Sequence, residues 1–175
     1  GSVGSGLASV NVPLYRHSPI PYDAVMNEYR REEFILGRLL EDKSKEHGTK
    51  VFVRFLDRDL TYRDVDDVSN QVAHGLRRIG VARGCHIAIM LPNCPEFLYV
   101  MFAVAKLGAV AVPINTEYKG DLLSHVINSS DATALIVDDR WLHRVAAIES
   151  TIGDISKFVV KDLKDNVPIR LHAEM

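Results

Sequence analysis

The residues of this 175-residue chain whose types could do chemistry are a serine beside a histidine, a run of aspartates, seven histidines and two cysteines. Their spacing argues against it. Ser124 and His125 are neighbours, and successive helical residues point about 100° apart, so they cannot form a nucleophile–base pair with each other. No G-x-S-x-G elbow presents another serine. His74, His86, His125 and His143 recur with no carboxylate partner, and Cys85 and Cys94 form no C-x-x-C pair, so no metal set stands at ligand spacing. Asp57, Asp59, Asp64, Asp66 and Asp67 make an acidic patch, but a calcium loop needs another spacing and a closing Glu. A hairpin turn and favourable negative charge at a helix N-terminus account for it. After the opening GSVGSG, the closest glycines are Gly80 and Gly84, with neither G-x-G-x-x-G nor G-x-x-x-x-G-K-[ST]. Backbone that approaches a phosphate needs clustered glycines, because side chains block it. We expect no catalytic residue, no metal and no cofactor site in this chain alone.

Composition bounds the remaining classes. Apolar residues at 47% and charged residues at 25% are those of a globular domain. A net charge of -2, with Tyr29-Arg30-Arg31 as the densest basic cluster, excludes nucleic acid as the main partner. No apolar run reaches the ~20 residues of a membrane span, and no signal-peptide pattern opens the chain. Cys85 and Cys94 are therefore expected as reduced thiols, and the protein in the cytoplasm.

The elements that would position a site follow from periodicity. Residues 1–6 read as a tag or flexible leader, and 7–31 as an extended N-terminal arm. A helix is expected over 32–47, with Phe34, Leu36, Leu39 and Leu40 on one side and Gly48 as a left-handed terminator. Residues 51–55 form a strand that turns at Asp57-Arg58-Asp59 into a β-hairpin ending near Leu60. Thr61 caps the next helix in a capping box with Asp64; Val65, Val68, Val72, Leu76 and Ile79 form its buried stripe, and Gly80 stops it. Residues 87–91 are too continuously apolar for a half-exposed strand and read as buried in a parallel sheet. Asn93 caps a third helix, with Pro95 in its first turn, Glu96 at the capping-box position and Gly108 at its end. Residues 109–114 form a second buried strand stopped by Pro113. Helix 121–128, strand 132–137, helix 141–150 and strand 157–160 complete an alternating, mainly parallel α/β fold over 32–160. Residues 161–175 read as a polar tail, expected to lead into a missing part.

Three stretches add a resemblance. Leu60-Thr61-Tyr62-Arg63-Asp64-Val65 resembles the first core motif of the adenylate-forming (AMP-binding) family, L-[TS]-Y-x-E-L. The run from Ala105 to Asn115, AKLGAVAVPIN, resembles its second. Between them, Leu91-Pro92-Asn93-Cys94-Pro95-Glu96-Phe97 is similar to the family's L-x-N-x-x-E-F helix opening. The likeness covers residues 34–160. Gly84-Cys85-His86 departs from it, since the family usually has Gly-Asp there, which bears on local turn geometry. Asn115-Thr116 followed by Tyr118-Lys119-Gly120-Asp121 is most similar to acyl-CoA ligases of the fatty-acid and carnitine groups.

The resemblance implies an N-terminal subdomain of an acyl-CoA synthetase. In the full enzyme a carboxylate would attack the α-phosphate of MgATP, and coenzyme A would then displace AMP to give a thioester. ATP, magnesium and coenzyme A are thus implied for a longer protein. The family's ATP loop, magnesium-binding Glu and C-terminal Lys lie beyond the matched motifs, so the fragment is expected to be inactive, with the remainder of the ligase as its partner. Thr61, Tyr62, Asn93, Glu96, Gly108 and Pro113 would be structural. Asn115, Thr116 and Tyr118 follow the carboxyl end of a parallel strand and are the candidates to face a cleft or a neighbouring domain; a plain connecting loop is the alternative. Two other readings compete: a self-associating or partner-binding module, because a cut sheet leaves an exposed edge, and a small nucleotide- or acyl-binding protein.

Overall fold

The computed structural model describes residues 36–153 and 155–161. Helix α1 is Leu36–His47, so the opening of the helix expected over 32–47 lies outside the described residues. Leu40 is its deeply buried apolar residue, while Leu36 of the expected stripe faces outward. Gly48 does not adopt the left-handed conformation expected of it. It is small because a Cβ would stand 2.7 Å from the Ser44 carbonyl oxygen and 2.8 Å from the Arg63 guanidinium.

Strands β1 (Val51–Phe55) and β2 (Arg58–Thr61) pair antiparallel. The hairpin turns one residue earlier than expected, at Leu56-Asp57: Phe55 pairs with Arg58, and Leu56 takes a φ of 54°. Helix α2 (Tyr62–Arg78) begins as anticipated. The Thr61 hydroxyl accepts the Asp64 amide at 3.1 Å, and the Asp64 carboxylate accepts the Thr61 amide at 2.9 Å. These bonds hold the Asp64 carboxyl below the usual carboxylate range. Tyr62 stacks on Phe52 with ring centroids 4.4 Å apart, fastening the hairpin to the helix.

Four parallel strands, β3 (His86–Met90), β4 (Val110–Pro113), β5 (Ala132–Asp138) and β6 (Lys157–Lys161), make the main sheet in the order β4-β3-β5-β6. Alternation sorts the side chains of the central strands. Ile87, Ile89, Ala134 and Ile136 meet α2 and α3 (Pro95–Lys106) through Leu76, Val100, Ala103 and Val104. Ala88, Met90, Leu135 and Val137 meet α4 (Gly120–Asn128) and α5 (Asp139–Ala146) through Leu123, Ile127 and Val145. The two faces are thus covered by different helices. A third apolar cluster, with Leu40, Leu60, Val65 and Tyr99 at its centre, joins the hairpin to the helical face.

Several expectations need correction. The second strand is not buried on both sides: β4 is an edge strand, and Val110 is 42% exposed. Asn93 does not cap α3. Cys94 holds the N-cap position, without a side-chain capping hydrogen bond, and Pro95 opens the helix. Glu96 then falls one place short of the capping-box position, and its carboxylate lies 3.5 Å from Lys161 instead. The helix expected over 141–150 starts two residues earlier, capped by Asp138, and gives way to a 3-10 turn at Glu149–Thr151. Lys161, read as the start of the tail, closes β6 and is buried. Gly108 does terminate α3 as expected, with a φ of 65°.

Candidate functional site

From β3 the chain crosses to β4 on one side and then returns to β5 on the other, with α3 and α4 on opposite faces of the sheet. Such a reversal opens a crevice at the carboxyl ends of the strands. A cleft of ≈ 400 Å³ lies there. Leu91, Pro92 and Asn93 follow β3; Ile114, Asn115 and Thr116 follow β4; Arg140 and Trp141 follow β5; Phe97 enters from α3.

The structure places two of the three candidate residues, Asn115 and Thr116, on this cleft. Tyr118 packs instead against the apolar cluster beneath α4. Their loop is fastened at several points. The Asn115 side-chain oxygen accepts the Glu117 amide at 2.9 Å, the Tyr118 amide donates to the Asn115 carbonyl at 3.1 Å, and Arg144 donates to the Thr116 carbonyl.

Sequence reasoning missed the charged group below the cleft. Asp138 is the last residue of β5 and its side chain is 0% exposed. It accepts the Arg140 amide at 3.1 Å, which caps α5, together with Arg140 Nε at 2.9 Å and Nη2 at 3.2 Å. Lys161, 8% exposed, donates to the same carboxylate at 3.4 Å. Burial by itself would raise the Asp138 carboxyl, but the Arg140 hydrogen bonds and the Lys161 charge outweigh it and hold the group below its ordinary value. The same contact pushes the Arg140 guanidinium further up. Arg140 lies over the Trp141 ring, 4.7 Å from its centroid. Burial raises the neighbouring Cys94 thiol, which is therefore no thiolate nucleophile at neutral pH. A signal was present in the sequence: an Asp closing a buried apolar strand two residues before an Arg, in Val137-Asp138-Asp139-Arg140.

The other candidates have structural employment. The Ser124 hydroxyl donates to Thr151 Oγ1 at 2.9 Å. His86 Nδ1 donates to the Ser130 carbonyl at 2.7 Å, joining the starts of β3 and β5. Among the described residues no group of three or more His, Cys, Asp or Glu side chains is placed to hold a metal ion, and no helix is long and apolar enough to cross a membrane. The cleft's own polar groups, the Arg140 guanidinium and the small side chains of Asn93, Asn115 and Thr116, include no carboxylate and do not fit the needs of a magnesium–triphosphate by themselves.

Comparison with known proteins identifies the scaffold. The profile of the AMP-binding enzymes matches residues 40–172, and the chain belongs to that family. The medium/long-chain-fatty-acid–CoA ligase FadD6 of Mycobacterium tuberculosis is 33% identical over 121 residues, covering 69% of this chain and 20% of FadD6. The phosphinothricin tripeptide synthetase PhsC of Streptomyces viridochromogenes is 33% identical over 121 residues, covering 69% of this chain and 11% of PhsC. The crystal structure of the anthranilate CoA ligase AuaEII in complex with anthranoyl-AMP superposes with a TM-score of 0.68 at 28% identity, over 73% of this chain and 25% of that one. The α/β fold is therefore that of the N-terminal part of acyl-CoA ligases, and the chain spans a quarter or less of each of these proteins.

Proposed function

We propose that this chain is the N-terminal α/β portion of an ATP-dependent, AMP-forming acyl-CoA ligase acting on a fatty-acid or carnitine-type carboxylate. Its share of the reaction is scaffolding, and its carboxyl-end cleft faces the ligand or the rest of the enzyme. The observation that carries this reading is the family match over residues 40–172, on a fold in which the two core motifs serve as a helix cap and as the turn from α3 into β4. ATP, magnesium and coenzyme A would be engaged by the remainder of a longer protein. The absence from this sequence of a glycine-rich phosphate loop supports that division. The cytoplasm, where both cosubstrates are available and Cys85 and Cys94 stay reduced, is the compartment that fits.

The test is fatty-acid-dependent exchange of labelled pyrophosphate into ATP. A longer protein carrying this segment should catalyse it with medium- or long-chain acids, and the 175-residue chain alone should not. Exchange by the isolated chain would overturn the scaffolding role; a longer protein inert toward every carboxylate would overturn the ligase reading.

A further inference from the structure

The cleft has a chemical bias of its own. Asp138 occupies the Nε and Nη2 edge of Arg140, which leaves Nη1 with no protein partner among the described residues. The Asn115 side-chain oxygen is taken by the Glu117 amide, so the group it has left to offer is its Nδ2 donor. The Thr116 hydroxyl is likewise unengaged among the described residues, although its carbonyl is held by Arg144. Unspent donors thus line one cleft, beside the apolar surfaces of Phe97 and Trp141. A donor-rich wall next to an apolar one suits a ligand with an acceptor-rich head and an apolar body.

We propose that this cleft is an oxyanion-binding subsite, in which Arg140, Asn115 and Thr116 receive the carboxylate or phosphate of a small amphipathic molecule whose apolar body lies against Phe97 and Trp141. The guanidinium is suited to this because it is fixed before any ligand arrives. A fully buried carboxylate holds one edge of it and an indole lies 4.7 Å beneath it, so less side-chain entropy is lost on binding than from a free surface arginine. Its permanent charge and planar donors match carboxylate and phosphate geometry. A volume of ≈ 400 Å³ is within the range of small-molecule sites. The inference deepens the ligase reading, on which its biological meaning rests, but it stands or falls on binding and not on turnover.

Trp141 is the single tryptophan of the chain, so its fluorescence reports on the cleft alone. The 175-residue chain is titrated with benzoate, octanoate, inorganic phosphate and, as an uncharged counterpart, benzyl alcohol. Saturable change with at least one of the anions, absent with benzyl alcohol, is expected; which anion binds distinguishes a carboxylate head from a phosphate. Arg140→Gln should weaken binding at least tenfold. Thr116→Val, which leaves the Asp138 network intact, should weaken it severalfold with an unchanged circular-dichroism spectrum. No saturable signal with any anion, equal response to benzyl alcohol, or unchanged affinity in both variants overturns the subsite. None of these outcomes bears on pyrophosphate exchange by a longer protein, so the two readings fail separately.

Discussion

Replacing Asp138 by Asn tests whether the buried charge cluster organises this end of the sheet. The amide is nearly isosteric and Asn is as good a helix N-cap as Asp, so the substitution leaves the cap on α5 and removes the charge. Breaking a buried ion pair costs about 3–5 kcal/mol, because the surviving ion stays buried without compensation. Lys161 sets that cost here, being only 8% exposed. It retains Glu96 at 3.5 Å, which moves the loss to the low end of the range. Arg140 is 51% exposed and solvent screens it, so its contribution is that of a surface pair, at most about 1 kcal/mol. The sum is about 3 kcal/mol. A domain of this size shifts by about 2–4 °C per kcal/mol, which puts the fall in Tm at roughly 6–12 °C. Urea denaturation and calorimetry of parent, Asp138→Asn, Lys161→Met and the double variant give the coupling. The double variant should be more stable than the sum of the single losses predicts, by at least about 1 kcal/mol, since it leaves no orphaned lysine. Asp138→Asn within about 0.5 kcal/mol of the parent, or strict additivity with Lys161→Met, would refute the reasoning.

Three further outcomes are expected. Gly37→Ala should destabilise by about 1–3 kcal/mol in urea melts, as overpacking does, because its Cβ would stand 2.6 Å from Lys106 Cγ and 3.0 Å from the Lys106 backbone, against the side chain that pairs with Glu41 and Asp66 at 2.9 and 2.7 Å. Ser69→Ala should be neutral or stabilising by up to about 1 kcal/mol in the same assay, since the Ser69 hydroxyl is buried without a hydrogen-bond partner among the described residues and removing it abolishes a desolvation cost. Stability should hold above the ordinary carboxylate range and fall as pH drops below about 4: the Asp138 and Asp64 carboxyls are depressed in the folded state, so their contribution is present above the unfolded value and is lost as pH falls through the folded one. Acid titration of Tm should show a shallower slope for Asp138→Asn than for the parent.

The framework was legible because its signals are local. The Thr61–Asp64 box, the glycine after α3 and the unbroken apolar runs of β3 and β5 each declare themselves within a few residues. Apart from the cap of α3, which its immediate neighbours decide, errors arose where the deciding partner is distant in sequence. Asn93 has the composition of a cap, but Cys94 takes the position and Pro95 opens the helix. The run Val110–Pro113 is as apolar as a central strand, yet strand order, which periodicity does not encode, puts it at the edge. Lys161 looked like a tail residue because the carboxylates that hold it lie 23 and 65 positions earlier, at Asp138 and Glu96. Asn115 and Thr116 were found through their place after a parallel strand, whereas Arg140 and Trp141 needed the return crossover to β5 before they shared their cleft.

That difference separates what the family motifs specify from what distinguishes this chain. The motifs build caps and turns, which fix where β3, β4 and β5 end. Once those ends are fixed, the residues two and three places beyond each strand border a common crevice. Here they are Asn115 and Thr116 on one side and Arg140 and Trp141 on the other. Of these, only Arg140 is braced by a fully buried carboxylate, and maintaining that carboxylate in turn requires a buried lysine on the next strand. A surface arginine has no need of such support, and an isolated buried carboxylate would be costly. Orientation of the guanidinium is the property the arrangement supplies. Asp138→Asn should therefore weaken anion binding at the cleft as well as stability, while Gly37→Ala, acting through the remote contact between α1 and α3, should lower stability and leave the affinity of the folded protein unchanged.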